Sequence, residues 1–310
     1  MKTYEKLYQV LATAPDFVSG ETLAKQLQIS RAAIWKAIKQ LEKEGLVIEG
    51  LKNRGYRLVS GDLLVAEAIG QKLGLPVHFN PDSQSTQIDA KQGIALGNPS
   101  PALYLAPSQK AARGRFSRPF FTPERGGIYM SLHLEPGLPL AQLPSYTLLI
   151  AASIVQAISN LLGLETQIKW VNDIYLGQKK IAGVLTEAVS DVETGTVAHL
   201  IIGVGINFFV PTFPEELKDK AGSLFDSPPQ LTRNELIAEI WRVFFSSEVD
   251  DLFQLYKQQS LVLGREISYQ SQGQIVRARA VDILTTGELV VETEAGRQIL
   301  SGGEISLSKW

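Results

Sequence analysis

The sequence predicts an α+β protein in three unlike parts, and three observations carry that reading. Residues 1–60 hold a helix, a helix–turn–helix and a basic hairpin in that order. Residues 61–263 run from short strands to a long apolar helix and back to strands, and residues 264–310 alternate short apolar runs with glycine-bearing turns. A chain of 310 residues is long enough to bury more than one core. Its hydrophobic content of 45% and charged content of 20% are ordinary for a globular protein. No run of about 18 apolar residues occurs, so no membrane span is expected. The start enters a helical pattern without the apolar run of a secretion signal, and a cytoplasmic location is expected. Cysteine is absent, which excludes disulfides and cysteine–metal sites; only three histidines argue against a histidine-based zinc site.

The net charge of -2 hides an asymmetry: residues 1–60 carry ten Lys/Arg against six acids, hence +4, and the remainder carries -6. A small basic part on a larger acidic body points to a polyanionic partner. Residues 4–12 set Leu7, Val10 and Leu11 on one helical face. Ser19 to Thr22 cap a second helix whose apolar positions are Leu23, Leu27 and Ile29. Ser30 is the natural N-cap of a third, from Arg31 to Lys43, with Ala33, Ile34, Ala37, Ile38 and Leu41 as its stripe and Gly45 as its stop. Leu46 to Glu49, a turn over 50–55 and Tyr56 to Val59 then make a hairpin with a basic tip. This order describes a winged helix-turn-helix. Ser30, Arg31, Trp35, Lys36 and Lys39 would present the recognition surface, and Lys52, Asn53 and Arg54 the wing. A winged helix used only for protein contacts is the plainer alternative; the basic helix start and basic wing favour DNA.

In the middle part, Asp62 reads as the cap of a helix over 63–73 that Gly74 ends, followed by a strand at 77–79. A polar turn at 82–87 leads into a helix reaching about Leu96. Residues 102–106 read as a buried strand, 107–126 as an irregular basic loop, 128–134 as an alternating strand and 146–162 as a helix of the buried kind. Strands over 168–185, 198–204 and 206–210 complete a mixed, mostly antiparallel sheet. Residues 211–229, rich in Pro, Glu and Lys, read as a mobile loop. Thr232 and Glu235 form a capping box for a helix to about Tyr256, with Trp241, Phe244 and Phe245 on its inner face. Beyond Gly264, turns at Gln272-Gly273, Thr286-Gly287, Ala295-Gly296 and Gly302-Gly303 space short strands as in a small SH3-like barrel.

Chemistry concentrates in the tract Lys169-Trp170-Val171-Asn172-Asp173 and the run Lys179-Lys180-Ile181-Ala182-Gly183-Val184-Leu185. Fixed cations neutralise charge on a phosphoryl group, and a carboxylate can hold the Mg²⁺ that bridges phosphates. Taken alone, the tract reads more plainly as a hairpin with solvated charges. The loop 109–121 adds Lys110, Arg113, Arg115 and Arg118, and arginines so placed grip phosphates or carboxylates bidentately. Ser85-Thr86 at a helix start offers hydroxyls and free N–H groups to a ligand, or is a simple cap. Gly203-Val204-Gly205-Ile206-Asn207 brings backbone close to a neighbour, as a tight strand crossing also would. Lys179 and Lys180 point to opposite faces of a strand, so one reaches a pocket; periodicity does not choose between them.

Taken in order, Ser-Thr, Arg-Gly-Arg, Lys-Trp-x-Asn-Asp, Lys-x-Ala-Gly-x-Leu and Gly-x-Gly-Ile-Asn resemble the biotin protein ligases. With the winged helix in front, the chain resembles the bifunctional type that is also the biotin operon repressor, over essentially its whole length. The resemblance implies a DNA-binding domain at 1–60, a class II synthetase-like ligase domain at 61–263 and an SH3-like domain at 264–310. It implies biotin held by Ser85, Thr86, Gln109, Arg113, Lys180, Gly183 and Val184. It implies ATP or the adenylate held by Arg115, Arg118, Phe120, Lys169, Asn172, Lys180 and Asn207. Catalysis would fall to Lys180, Arg115, Arg118 and Asp173, with Asp173 serving Mg²⁺. Biotinoyl-5′-AMP would form, a lysine of the biotin carboxyl carrier protein would attack it, and the adenylate would promote a homodimer on operator DNA. The sequence departs from the family at Ala112 and Ser117, where Gly is typical, at Phe120, where Trp is common, and at Gln87, where Asn is usual. A lipoate or octanoate ligase and an adenylate-sensing repressor without turnover are the alternatives. The winged helix and compact C-terminal part favour biotin, and the presence of Lys180, Asp173, Arg115 and Arg118 favours turnover.

Overall fold

A computed structural model describes residues 1–271 and 273–307. Helices α1 (Thr3–Thr13), α2 (Gly20–Leu27) and α3 (Arg31–Lys43) pack Leu7, Leu11, Leu23, Ile34, Ile38 and Leu41 into a core of their own. Side-chain oxygens satisfy free N–H groups at two helix starts: Ser19 accepts from Thr22 N, and Ser30 from Ala33 N. Strands β1 (Val47–Leu51) and β2 (Gly55–Ser60) form the antiparallel wing. The same core takes in Val65, with Leu63 and Ala68 packed against it, so its packing runs past residue 60.

Asp62 does not cap the next helix. Its carboxylate accepts from Arg233 Nε at 2.8 Å and from the Arg233 backbone N–H at 2.7 Å, and α4 begins only at Ala66 (Ala66–Leu73). Then come β3 (Val77–Phe79), α5 (Thr86–Ala95), β4 (Ala102–Ala106), β5 (Gly127–Leu134), β6 (Leu138–Pro139), α6 (Tyr146–Leu162), β7 (Gln167–Lys169), β8 (Asp173–Leu176), β9 (Lys179–Ser190) and β10 (Thr196–Asn207). They form one sheet in the order β3-β4-β5-β10-β9-β8-β7, with β6 beside β10. The β3–β4 pair is parallel and the other pairs are antiparallel, as the sequence predicts. Two expectations change. β5 is buried almost throughout instead of alternating, because both faces of the sheet are covered. The stretches 198–204 and 206–210 are not two strands, since one ladder runs through Gly205, which pairs with Tyr129 and Gly183, and the strand ends at Asn207.

Alternate residues of β10 show the two faces. Leu200, Ile202, Val204 and Ile206 join the main core with α6, whereas Ile201 packs with Ala90, Ala102 and Tyr104 on the α5 side. The stretch 140–162 is apolar enough for a membrane span by composition, but 56% of its most apolar window is buried inside the fold, as in a core helix. The single helix expected over 232–256 is two, α7 (Arg233–Ser246) and α8 (Val249–Gln258), with extended backbone at Ser247 and Glu248 between them. Its Thr232–Glu235 capping box is present. Trp241 is fully buried, but Phe245 is 45% exposed and leaves the inner face to Phe244. The 211–229 loop is pinned at its end: Leu224 N donates to Asn207 O, Phe225 N to Phe208 O, and Lys180 N to Lys220 O.

Strands β11 (Glu266–Ser271), β12 (Gln274–Ile283), β13 (Leu289–Thr293), β14 (Gly296–Leu300) and β15 (Ile305–Leu307) form an antiparallel sheet in the order β14-β13-β12-β11-β15. Among the described residues this path has two ends, and closure into a barrel is not among its pairings. The expected turn at Gln272-Gly273 includes Gln272, which lies outside the described residues. The C-terminal sheet docks on the central one where Trp170 Nε1 donates to Gly287 O at 2.9 Å.

Candidate active site

A cleft of about 430 Å³ opens on the α5 face of the central sheet, under the 107–126 loop and the edge of the C-terminal sheet. Its floor is kept bare by three glycines of β9 and β10. A Cβ on Gly205 would stand 2.6 Å from the Phe120 ring, and one on Gly203 would stand 3.0 Å from the Gln87 carboxamide. At Gly183 the atoms in the way would be Lys180 Cε and Nζ, at 3.2 Å. At Gly205 a side chain would displace the Phe120 ring, and at Gly203 and Gly183 it would crowd the ends of Gln87 and Lys180.

One end of the cleft is charged. Five cations (Arg113, Arg115, Arg118, Lys169, Lys180) line it against two carboxylates, Asp173 and Glu304, a balance that suits a polyanion. Lys180 Nζ lies 2.7 Å from Asp173 Oδ1, and both side chains are about a quarter to a third exposed. Lys179, by contrast, is exposed on the other side. Arg115 Nη1 donates to Asn172 Oδ1 at 3.3 Å and Nη2 to Gly303 O at 3.4 Å. Asn172 is fixed in turn by its Nδ2, which donates to Val184 O at 2.7 Å. Arg118 clasps Glu304 with two nitrogens, one of them Nη2 to Oε2 at 2.8 Å. Burial pushes the Lys169 ammonium below the usual lysine range, against the pull of Asp173 and Glu304.

The other end is neutral and built for hydrogen bonds. Ser85 and Thr86 are buried at the start of α5, and Gln109 Oε1 accepts from Thr86 N at 2.7 Å and from its hydroxyl at 3.3 Å. Ser131 Oγ donates to Thr86 Oγ1 at 2.8 Å. Gln87 donates through Nε2 to Leu185 O at 3.1 Å, while its buried Oε1 has no partner. A buried acceptor left unpaired is costly, and one lining a cleft is ready for a ligand N–H.

The covering loop is drawn in by Phe120 N donating to Ala112 O and Gly114 N to Arg118 O. Within it, Phe116 and Ser117 both sit at φ 56°, the left-handed region that glycine enters freely. Ser117 thus occupies a glycine-type backbone position, whereas Ala112 is an ordinary buried residue. Arg113 is exposed at the mouth, with Nη1 donating to Ser117 O at 3.1 Å. Asn207 is the expected site residue that the fold draws away from the cleft. It is buried beside it, with Nδ2 donating to Gly222 O at 3.0 Å, and it does not line the cleft. Gln87 in the cleft wall, Ser131 behind it, and Gly303 and Glu304 at the rim are additions to the sequence-derived set. The first two are signalled by the polar run 83–87 and by a serine in an apolar strand; the last two arrive only through docking of the C-terminal sheet.

At the N-terminal end, Trp35 is 56% exposed on α3 beside exposed Arg31, Lys36 and Lys39, with exposed Lys52 and Arg54 on the wing. The Ser30 hydroxyl serves as the helix cap. Arg31 pairs with Glu21 at 2.9 Å, Lys39 with Glu42 at 2.6 Å and Arg54 with Asp16 at 2.8 Å.

Comparison with known proteins agrees with this arrangement. Residues 4–57 match the HTH domain family, 82–207 the biotin/lipoate A/B protein ligase family and 262–308 the biotin protein ligase C-terminal domain. Fold and cleft therefore define a ligase domain carried between a helix-turn-helix domain and a C-terminal sheet. The solved biotin protein ligase from Aquifex aeolicus in complex with biotin and ATP is 24% identical, covering 76% of this chain and 99% of that one at a TM-score of 0.61. The bifunctional ligase/repressor BirA of Bacillus spizizenii is 34% identical over 308 residues, 94% of each chain. Its counterpart from Escherichia coli is 33% identical over 264 residues, 83% of this chain and 78% of the other. The chain belongs to the family of bifunctional biotin ligase/repressors.

Proposed function

We propose that the cleft joins biotin to AMP and passes biotin to a lysine of a carboxyl carrier domain, while α3 and the wing bind operator DNA. One observation carries the ligase reading: a neutral hydrogen-bonding end and a cationic end meet across a floor of glycines. The neutral end suits the biotin ureido ring, which offers two N–H groups and one carbonyl. Gln87 Oε1 would accept one of those N–H groups, and Ser85, Thr86 and Gln109 would hold the rest of the ring. The cationic end suits the triphosphate, with Lys180 between the biotin carboxylate and the α-phosphate and Arg115, Arg118 and Lys169 around the remaining oxygens.

The chemistry follows from that placement. A biotin carboxylate oxygen attacks the α-phosphorus, a new C–O–P link forms, and the bond to the leaving pyrophosphate breaks. The cations hold the reactants in line and balance the oxygen charge that builds up. The neutral amine of the carrier lysine then attacks the acyl carbon, releasing AMP and a proton, so no covalent enzyme intermediate is needed. Asp173 is the cleft carboxylate not gripped by an arginine, and one carboxylate with phosphate oxygens and water makes an ordinary Mg²⁺ site. Asp173 would hold Mg²⁺ there, and the ion would add neutralisation of the phosphates. The adenylate, once formed, would order the covering loop and favour a homodimer that matches a two-fold operator.

The test is incubation of the purified chain with biotin and Mg-ATP without acceptor, with octanoate and lipoate in parallel. Biotinoyl-5′-AMP and pyrophosphate are expected from biotin alone, read by mass spectrometry. Adenylate from a fatty acid would reassign the substrate, and adenylate from none would leave a sensor-repressor.

A further inference from the structure

Beyond the cleft, on the same face of the central sheet, three side chains converge. His133 lies near the end of β5, Glu135 just beyond that strand, and His199 on β10. His133 Nε2 is 3.1 Å from His199 Nδ1, and Glu135 Oε1 is 3.6 Å from the first and 3.4 Å from the second. Among the described residues this is the one group of three or more such side chains whose ligand atoms lie within 4.8 Å of one another. We propose that His133, Glu135 and His199 form a binding site for a divalent transition metal, Zn²⁺ by preference.

Geometry is the main argument. Tetrahedral Zn²⁺ with bonds of about 2.0–2.1 Å sets its ligand atoms about 3.3 Å apart. The three separations, 3.1, 3.4 and 3.6 Å, bracket that value. Two imidazole nitrogens facing each other at 3.1 Å share a single proton, and a metal takes its place by accepting a lone pair from each. His133 is wholly buried on the sheet. Glu135 is half exposed, supplies the anionic ligand and leaves a path from solvent, with a fourth position for water. Two histidines and one carboxylate suit Zn²⁺, whereas Mg²⁺ prefers oxygen alone. The opposing feature is His133 Nδ1, which has no partner and would carry the ring proton unpaired. That cost sets the affinity in the micromolar range.

The count of three histidines argued against zinc, but a count ignores register. His133 pairs with Ile201 across the β5–β10 ladder, so His199 is its diagonal neighbour on the same face. A bound ion would tie the β5–β6 turn to β10. The third histidine, His78, is stacked on Tyr104 and takes no part.

The test uses the full-length chain, stripped with EDTA and titrated with Zn²⁺ against a chromophoric chelator, then loaded with Co²⁺ for its visible spectrum. One equivalent of Zn²⁺ at micromolar affinity, a raised melting temperature and tetrahedral Co²⁺ bands are expected. His199→Ala and Glu135→Ala change partly exposed side chains and should fold. Each should weaken Zn²⁺ by at least about 100-fold, more than loss of a group that only orients a ligand, and abolish the Co²⁺ bands. No binding at micromolar Zn²⁺, or tight binding kept by either variant, overturns the site.

Discussion

Lys180 is already aimed before substrate arrives, because Asp173 holds it at 2.7 Å. Lys180→Ala should slow adenylate formation by about 10²–10³-fold, the usual cost of losing one fixed donor for developing charge. The melting temperature should barely move, since a part-exposed ion pair contributes little to stability. Single-turnover rates with a thermal melt check both, and a near-normal rate would remove Lys180 from the site. Lys169 makes a pH prediction. Burial lowers its pKa, so it sheds its proton at lower pH than an exposed lysine, and its grip on phosphate fades on the alkaline side. Arginine stays charged there, so Lys169→Arg should carry the alkaline limb of the pH–rate profile upward; an unmoved limb would mean that Lys169 meets no reacting anion. Ser117 stores strain in the closed loop at φ 56°. Ser117→Gly should relieve about 1 kcal/mol of it, less what a floppier unfolded loop gives back. Adenylate release should then slow by up to about fivefold in a chase experiment, and unchanged release would show that this loop geometry is not the retaining one.

Strand β9 explains why residue spacing could not choose between the two lysines. In an unbroken strand, Gly183 shares its face with Lys179. The β8–β9 register slips between Ile174 and Tyr175, so Tyr175 pairs with Lys180 while Ile174 pairs with Ala182. That bulge gives β9 one extra residue and turns Lys180 onto the face of Gly183. What was legible shares a pattern: the winged helix, Ser85-Thr86, the arginine loop and the Lys169–Asp173 tract are each specified within a few neighbouring residues. What was not legible depends on distant segments. Asp62 could not be known to bind Arg233 instead of its own helix, nor could Glu304 be known to meet Arg118. Phe245 leaves the inner face because the helix breaks at 247–248, and the bond from the Asn207 amide to Gly222 depends on a segment fifteen residues away. The floor strand offers its own test. A methyl on Gly205 would stand 2.6 Å from the Phe120 ring, so Gly205→Ala should expel that ring and unseat the loop. KM for ATP should rise with the melting temperature nearly kept, because the loop lies outside the strand ladder. An unaltered KM would mean that Phe120 does not cover the nucleotide.

At the scale of the whole chain, the cleft and the DNA-binding end are physically continuous. Arg125, at the end of the covering loop, donates to Lys43 O at 3.0 Å and sits where a side chain on Gly45 would, against the last turn of the recognition helix. The packing of Leu63, Val65 and Ala68 into the winged-helix core makes the boundary at residue 60 a seam and not a free linker. The DNA-facing cations are themselves restrained. Arg31, Lys39 and Arg54 are each paired with an acid, and phosphates must displace those acids before the cations count toward binding. Exposed pairs are weak, so displacement is easy, yet each acid also repels the DNA backbone wherever it goes. Glu21→Gln, Glu42→Gln and Asp16→Asn should therefore tighten operator binding, and to a similar degree on unrelated DNA, because phosphate contacts carry no sequence information. The slope of log affinity against log salt should steepen by up to about one for each cation freed. Fluorescence anisotropy over a salt series reads both quantities. Tighter binding confined to the operator would put these cations on base edges, and no change in affinity or slope would place the DNA on another face of the domain.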